Sequence, residues 1–199
     1  MLSKGMKRLE AIVSERNTLA RSLHDLGMGA WFGGSLMGAV GLNGVAREWE
    51  DERTGNRIAS IGWAKWTPAN GVAIAAHLVG AVSLLASESY RVGHQKGVGA
   101  MSVAKTAVTA AALGATAYSR ALGKKIEKAS APGSEEAAGQ EEHHMSVEST
   151  ERQLRWVQWS IPVLTGVLTV ISAFAGEQQR PSQQRLGMLR KAAERLDLE

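Results

Sequence analysis

Residues 67–87 read TPANGVAIAAHLVGAVSLLAS, with no Lys, Arg, Asp or Glu and with His77 as the one titratable group. A helix crossing the roughly 30 Å hydrocarbon core of a bilayer needs about 20 mainly apolar residues. This stretch has that length. Three more windows repeat the pattern: residues 26–46 and 156–176 carry no charge, and residues 97–119 carry only Lys105. A soluble helix keeps a charged face, and a helix without one must be covered on every side. Four such helices leave too little of a 199-residue chain to cover them. The pattern therefore predicts an all-α protein, a four-helix transmembrane bundle, over a soluble bundle of buried helices.

Bulk composition hides this. Hydrophobic residues make up 44% and charged residues 21%, ordinary values for a soluble domain, because the charges are segregated between the windows. Aromatic residues at 5% and four prolines argue against a β-rich fold, and the absence of Cys removes disulfides, thiolate metal sites and Cys nucleophiles. The first window is too long and too far from the start for a cleaved leader, so it reads as a signal anchor. Four spans put both termini on one side. Lys and Arg are nearly balanced between the two sides, and net charge leans toward cytoplasmic termini in a bacterial inner membrane. Trp49, Trp63, Trp66, Trp156 and Trp159 all fall on one membrane face in this topology, at the headgroup level that indole prefers.

The segments between the windows divide the chain. Residues 1–25 form an amphipathic N-terminal segment through Leu2, Met6, Leu9, Val13, Ala20 and Leu23, suited to a membrane surface or a partner helix. Residues 26–122 hold the first three spans. Their interfacial loop, 47–66, has a turn at Thr54-Gly55-Asn56, and Pro68 sits in a helix's first turn. Residues 123–155 form a polar loop whose acidic part, 129–150, reads as disordered. Its Glu141-Glu142-His143-His144 run is too floppy for a dedicated metal site, so no metal and no cofactor are expected. The last span covers 156–176. Residues 177–199 form an amphipathic tail after Pro181, with Leu186, Leu189, Ala193 and Leu196 in a stripe.

Within the spans, small residues recur at helical spacing. One seam has Gly27, Ala30, Gly34, Gly38 and Gly41; the second has Ala69, Ala73, Ala76, Gly80, Ser83 and Ser87. The third has Ala100, Ala104, Ala107, Ala111 and Gly114, and the fourth Gln158, Pro162, Thr165, Thr169, Ser172 and Gly176. In lipid, helices associate where small side chains let backbones approach and hydroxyls bond across the gap. A seam left over would serve a homo-oligomer or a membrane-protein partner.

Polar groups inside spans are costly and mark sites or buried hydrogen bonds. His77 lies near mid-span with Asn70 two turns earlier; a neutral imidazole bonded to a hydroxyl or carbonyl is the simplest reading. Lys105 lies near its span's start and can snorkel outward. One intramembrane His is too few for a haem held by paired axial ligands. Nucleotide, zinc-protease, serine-hydrolase and CxxC motifs are absent, and the scattered basic residues do not form a nucleic-acid surface.

The runs Asp25–Gly34 (DLGMGAWFGG) and Gly176–Pro181 (GEQQRP) resemble those of small bacterial four-span membrane proteins with no assigned biochemical role. That resemblance implies architecture and no site residues. The expectation is a non-enzymatic structural or accessory subunit in a membrane complex. The alternative is a small oligomeric channel or transporter with His77, Asn70, Asn43 and Lys105 along a polar path.

Overall fold

A computed structural model describes residues 17–87, 98–129 and 140–177, with side chains from 146 onward in the last helix. Residues 1–16 of the expected amphipathic segment 1–25, residues 88–97, the loop segment 130–139 and the tail beyond 177 lie outside the described residues; the rest of 1–25 belongs to the first helix from Thr18 onward. Four long helices account for the rest, and no strand occurs among the described residues. Helix α1 is Thr18–Met37, carried on by a π-helical turn at Gly38–Leu42 and a last α-helical turn at Asn43–Arg47. Helices α2, α3 and α4 are Glu52–Ser87, Val98–Ala129 and Gln140–Glu177. All-α architecture is thereby shown. Two of the helices, α2 and α4 (over Ser146–Gly176), are long and apolar enough to cross a membrane.

Element boundaries depart from the sequence reading. The supposed interfacial loop 47–66 is helical from Glu52 onward. Asp51 explains the early start: its carboxylate accepts from the Thr54 amide at 3.0 Å, the Arg53 amide at 3.3 Å and the Thr54 hydroxyl, capping the first turn. These bonds hold the Asp51 carboxyl below its ordinary value. Thr54-Gly55-Asn56 is therefore inside a helix, and Gly55 is there because a Cβ would strike the Ala46 carbonyl. Pro68 also lies within α2, and the Thr67 hydroxyl donates to the Trp63 carbonyl at 2.7 Å one turn back. The polar loop 123–155 is helical over 123–129 and again from Gln140, so the acidic stretch is not wholly irregular.

The described helices fall into two compact units. One comprises the described parts of Met1–Gly29, Val72–Thr106 and Thr169–Glu199; the other comprises those of Ala30–Gly71 and Ala107–Leu168. In the first unit, α1 and α2 run antiparallel at backbone contact. A Cβ at Gly27 would strike the Ala73 carbonyl and the His77 amide, and one at Gly80 would strike the His24 amide and, at 2.5 Å, the Ala20 carbonyl oxygen. Asn17 donates to the Ser87 hydroxyl at 2.8 Å.

In the second unit α1, with its π-helical turn, and α2 pair through larger side chains. The indole of Trp66 fills the notch at Gly34, that of Trp63 the notch at Gly38, and Leu42 lies against Gly62. Trp63 and Trp66, expected at the headgroup level, are therefore knobs set into glycine holes. Trp49, Trp156 and Trp159 remain exposed. Gly41 meets only Met37 of its own helix, and the third seam is turned outward: Ala100, Ala107, Ala111 and Gly114 are exposed while Ala112, Leu122 and Ile126 are buried.

Candidate functional site

The first unit's core is a pair of histidines. His24 projects from α1 and His77 from α2, with 2% and 1% of their surfaces exposed. Their ring centroids are 4.5 Å apart at an interplanar angle of 42°. The glycines at 27 and 80 create this site: they bring the backbones close enough for two imidazoles from facing helices to touch. His77 Nδ1 donates to the His24 carbonyl at 3.2 Å, and His24 Nδ1 donates to the Asp25 carboxylate at 2.8 Å. His24 Nε2 is buried with no hydrogen-bond partner. Lys105 lies half-buried on α3 in the same unit.

The expectation for His77 of an imidazole bonded to a carbonyl agrees with this geometry. His24 was missed. It lies outside the charge-free window, beside Asp25, in a segment read as a surface helix. The signal was available one turn further on: His24, Met28, Trp31, Ser35 and Gly38 follow three/four spacing, and all five are buried. The haem question changes too, since a second imidazole is present. Axial imidazoles must lie on opposite faces of the macrocycle, and rings this close leave no room for one between them.

The second unit has its own polar cluster. Asn43, just past the π-helical turn, donates from Nδ2 to Gln158 Oε1 at 2.8 Å and accepts at Oδ1 from Trp63 Nε1 at 2.9 Å. The π turn sets this up: the Asn43 amide reaches back to the carbonyls of Gly38 and Val40, and the extra residue lets Gly38 and Ala39 both be buried in succession. Trp31, fully buried, donates from Nε1 to Thr116 Oγ1 at 3.2 Å, and that hydroxyl donates to the Ala112 carbonyl. Asn56 donates to Glu151 at 2.7 Å, tying α2 to α4. Thr165 is fully buried with its hydroxyl on the Ile161 carbonyl at 2.8 Å. Asn70 Oδ1 and Trp66 Nε1, one turn apart on α2, are buried without partners.

The sequence-predicted residues thus separate. His77, Lys105, Gly27 and Gly80 belong to the first unit, as do Ser172, whose hydroxyl is buried without a partner, and Thr169, which is exposed. Asn43, Asn70, Gly34, Gly38, Gly41 and Thr165 belong to the second. Among the described residues no three His, Cys, Asp or Glu side chains converge as a metal set. Glu48, Glu50 and Asp51 line an open cleft beside Trp49, with Asp51 committed to its cap. Compared with known protein families, characterised proteins and solved structures, the chain matches no family model, no characterised protein and no solved structure.

Proposed function

We propose that this chain is a multi-pass, non-enzymatic membrane protein of the bacterial inner membrane, with four spans, cytoplasmic termini and a structural or accessory role in a membrane complex. One observation carries the reading. The most apolar windows of α2 and α4 are only 17% and 22% buried against the rest of the protein. A core helix of a soluble protein is mostly buried, so these side chains call for an apolar solvent. On α4, Val163 and Val167 in the second unit and Val170 and Phe174 in the first are exposed at three/four spacing; on α2, Val72, Ala75, Val79 and Val82 are exposed at the same spacing.

The charge-free window of α1 and the nearly charge-free one of α3 support two further spans, with Lys105 snorkelling. Polar side chains favour the structural role, because Asn43, Gln158, Trp63, Asn56 and Glu151 spend their hydrogen bonds on one another. The resemblance to small bacterial four-span membrane proteins supports the four-span architecture. The test has two steps. Alkaline carbonate washing of native membranes should leave the chain in the pellet, and recovery in the supernatant would overturn the membrane reading. Gentle solubilisation and affinity purification should then bring down stoichiometric partner subunits. A lone oligomer that conducts ions or solutes in proteoliposomes would replace the accessory role with the channel alternative.

A further inference from the structure

We propose that the end of the second unit at which α2 starts is a belt for anionic phospholipid headgroups, with Arg57, Lys65 and Arg155 as its cations. The inference rests on the membrane reading and names the lipid class that this face takes. Hydrogen bonds set the heights. Asn56 on α2 donates to Glu151 on α4 at 2.7 Å, and seven residues further along each helix Trp63 and Gln158 share Asn43. The two helices therefore run parallel and in step, so Arg57 stands level with Arg152 and Ile61 with Trp156.

Along these helices the exposed side chains change in a fixed order. On α4, Arg152, Arg155, Trp156, Trp159, Val163 and Val167 are all exposed and share one face at three/four spacing. On α2, Arg57, Ile61, Lys65 and Pro68 are exposed at the same spacing. Guanidinium, then indole, then aliphatic matches the solvents met on entering a bilayer: phosphate, headgroup boundary, hydrocarbon. Trp156 is 76% exposed and Trp159 43%. Indoles left that bare call for a surface that is apolar on one side and wet on the other.

The uncommitted charge selects the lipid. Arg152 pairs with Glu148 at 3.2 Å, and Glu151, one turn from Arg155, already accepts from Asn56. Arg57, Lys65 and Arg155 make no hydrogen bond or ion pair among the described residues. Glu48, Glu50, Asp51 and Glu52 precede Arg57 by more than a helical turn, outside the layer where cations meet indoles. Lys65 stands about two turns inward of Arg57 and reaches back to the phosphates along its four-carbon stem. A zwitterionic headgroup brings its own ammonium to these cations. An anionic one brings negative charge alone, worth about fivefold in association per basic residue. An acidic protein would satisfy the cations but gives no role to the indoles and valines on the same face.

The test reconstitutes the full-length chain in phosphatidylcholine bilayers and follows indole quenching as brominated phosphatidylglycerol or brominated phosphatidylcholine replaces the host lipid. Phosphatidylglycerol should be preferred at least about fivefold, and the preference should shrink in about 1 M sodium chloride. Trp156→Phe with Trp159→Phe should remove most of the quenching that distinguishes the two lipids. Arg57→Gln, Lys65→Gln and Arg155→Gln together should bring the preference to one; all three positions are exposed, so folding is spared. Arg57→Lys with Arg155→Lys should keep it. Equal quenching of the unmodified chain by the two lipids, or a preference that the triple change leaves intact, would overturn the belt alone. Loss of the chain from the bilayers on alkaline carbonate washing would overturn the membrane reading and the belt with it, so the two failures are told apart.

Discussion

His77 reaches across from α2 to donate to the backbone carbonyl of His24 on α1, so one side chain and one main-chain group lock the two helices at the point where their glycines bring them closest. The bond is local to the pair, and the volume around it is filled: both rings are nearly inaccessible. Emptying the site should therefore cost more than replacing its chemistry. His77→Ala opens a cavity and should lower unfolding free energy in detergent by about 2–4 kcal/mol. His77→Leu keeps most of the volume and should cost less than half as much. Equal losses for the two would show that the hydrogen bond, and not the packing, dominates.

The glycines of α1 supply a sharper contrast, because equal substitutions should have opposite signs. Around Gly33 and Gly29 nothing lies within 4 Å of a new Cβ, so Ala there should stabilise the helix by about 0.5–1 kcal/mol through backbone entropy alone. At Gly27 the same Cβ meets backbone atoms of α2 that cannot rotate away, and at Gly38 it meets the Trp63 ring. Gly27→Ala and Gly38→Ala should each destabilise by about 1–3 kcal/mol. Thermal unfolding of the four variants in one detergent checks the ordering; Gly27→Ala and Gly33→Ala shifting Tm in the same direction would refute the backbone contact.

How much of this the sequence disclosed depends on which physical signal each residue leaves. Charge-free length is visible in a string of letters, so the four long helices were legible, as was the importance of Gly27, Gly34, Gly38 and Gly80. Partnership is not. His24 sits beside Asp25 in a charged neighbourhood, and only the fold turns it inward. Trp63 and Trp66 look amphipathic and interfacial as residue types; what seats them in the second unit is a pair of glycines on a different helix. The third seam is one left over: Ala and Gly are so frequent in α3 that a small-residue stripe exists on more than one face, and the buried face is the one with Ala112, Leu122 and Ile126.

Asn43 is the hinge of the second unit's polar cluster, bonded to both Trp63 and Gln158. Deleting it strands a donor and an acceptor at once. Asn43→Leu should cost about 1–3 kcal/mol, and Gln158→Leu somewhat less, because Asn43 then keeps Trp63. The double variant should be less destabilised than the sum of the two, with a coupling of about 0.5–1.5 kcal/mol in a double-mutant cycle. Strict additivity would show that the Asn43–Gln158 bond is not formed in solution.

Asp51 gives a pH prediction. Its carboxylate is held below its ordinary value by Thr54 and Arg53, so the cap contributes above the unfolded carboxyl's pKa and is lost as pH falls through the lower, folded one. The start of α2 should fray in acid before the helix interior does. Asp51→Ala should reproduce the frayed state at neutral pH, read as faster amide exchange at Arg53 and Thr54. Asp51→Asn keeps an acceptor and should remove the acid dependence with much less fraying. Exchange at those amides that is independent of both pH and substitution would count against the cap.

The outward stripe of α4 separates lipid from water as its solvent. Val167 and Val170 face away from the protein, 44% and 55% exposed. On a soluble surface, Val→Asp at such positions changes stability by about half a kcal/mol or less and improves solubility. At the centre of a membrane span the same carboxylate costs about 2.5–3.5 kcal/mol of insertion free energy. Val167→Asp and Val170→Asp should therefore sharply reduce the carbonate-resistant fraction, and the double change should abolish it. Arg152→Asp, at an exposed position on the polar first half of α4, should leave that fraction unchanged. The contrast matters because a general folding defect would respond to overall damage, whereas a bilayer responds to depth along the helix.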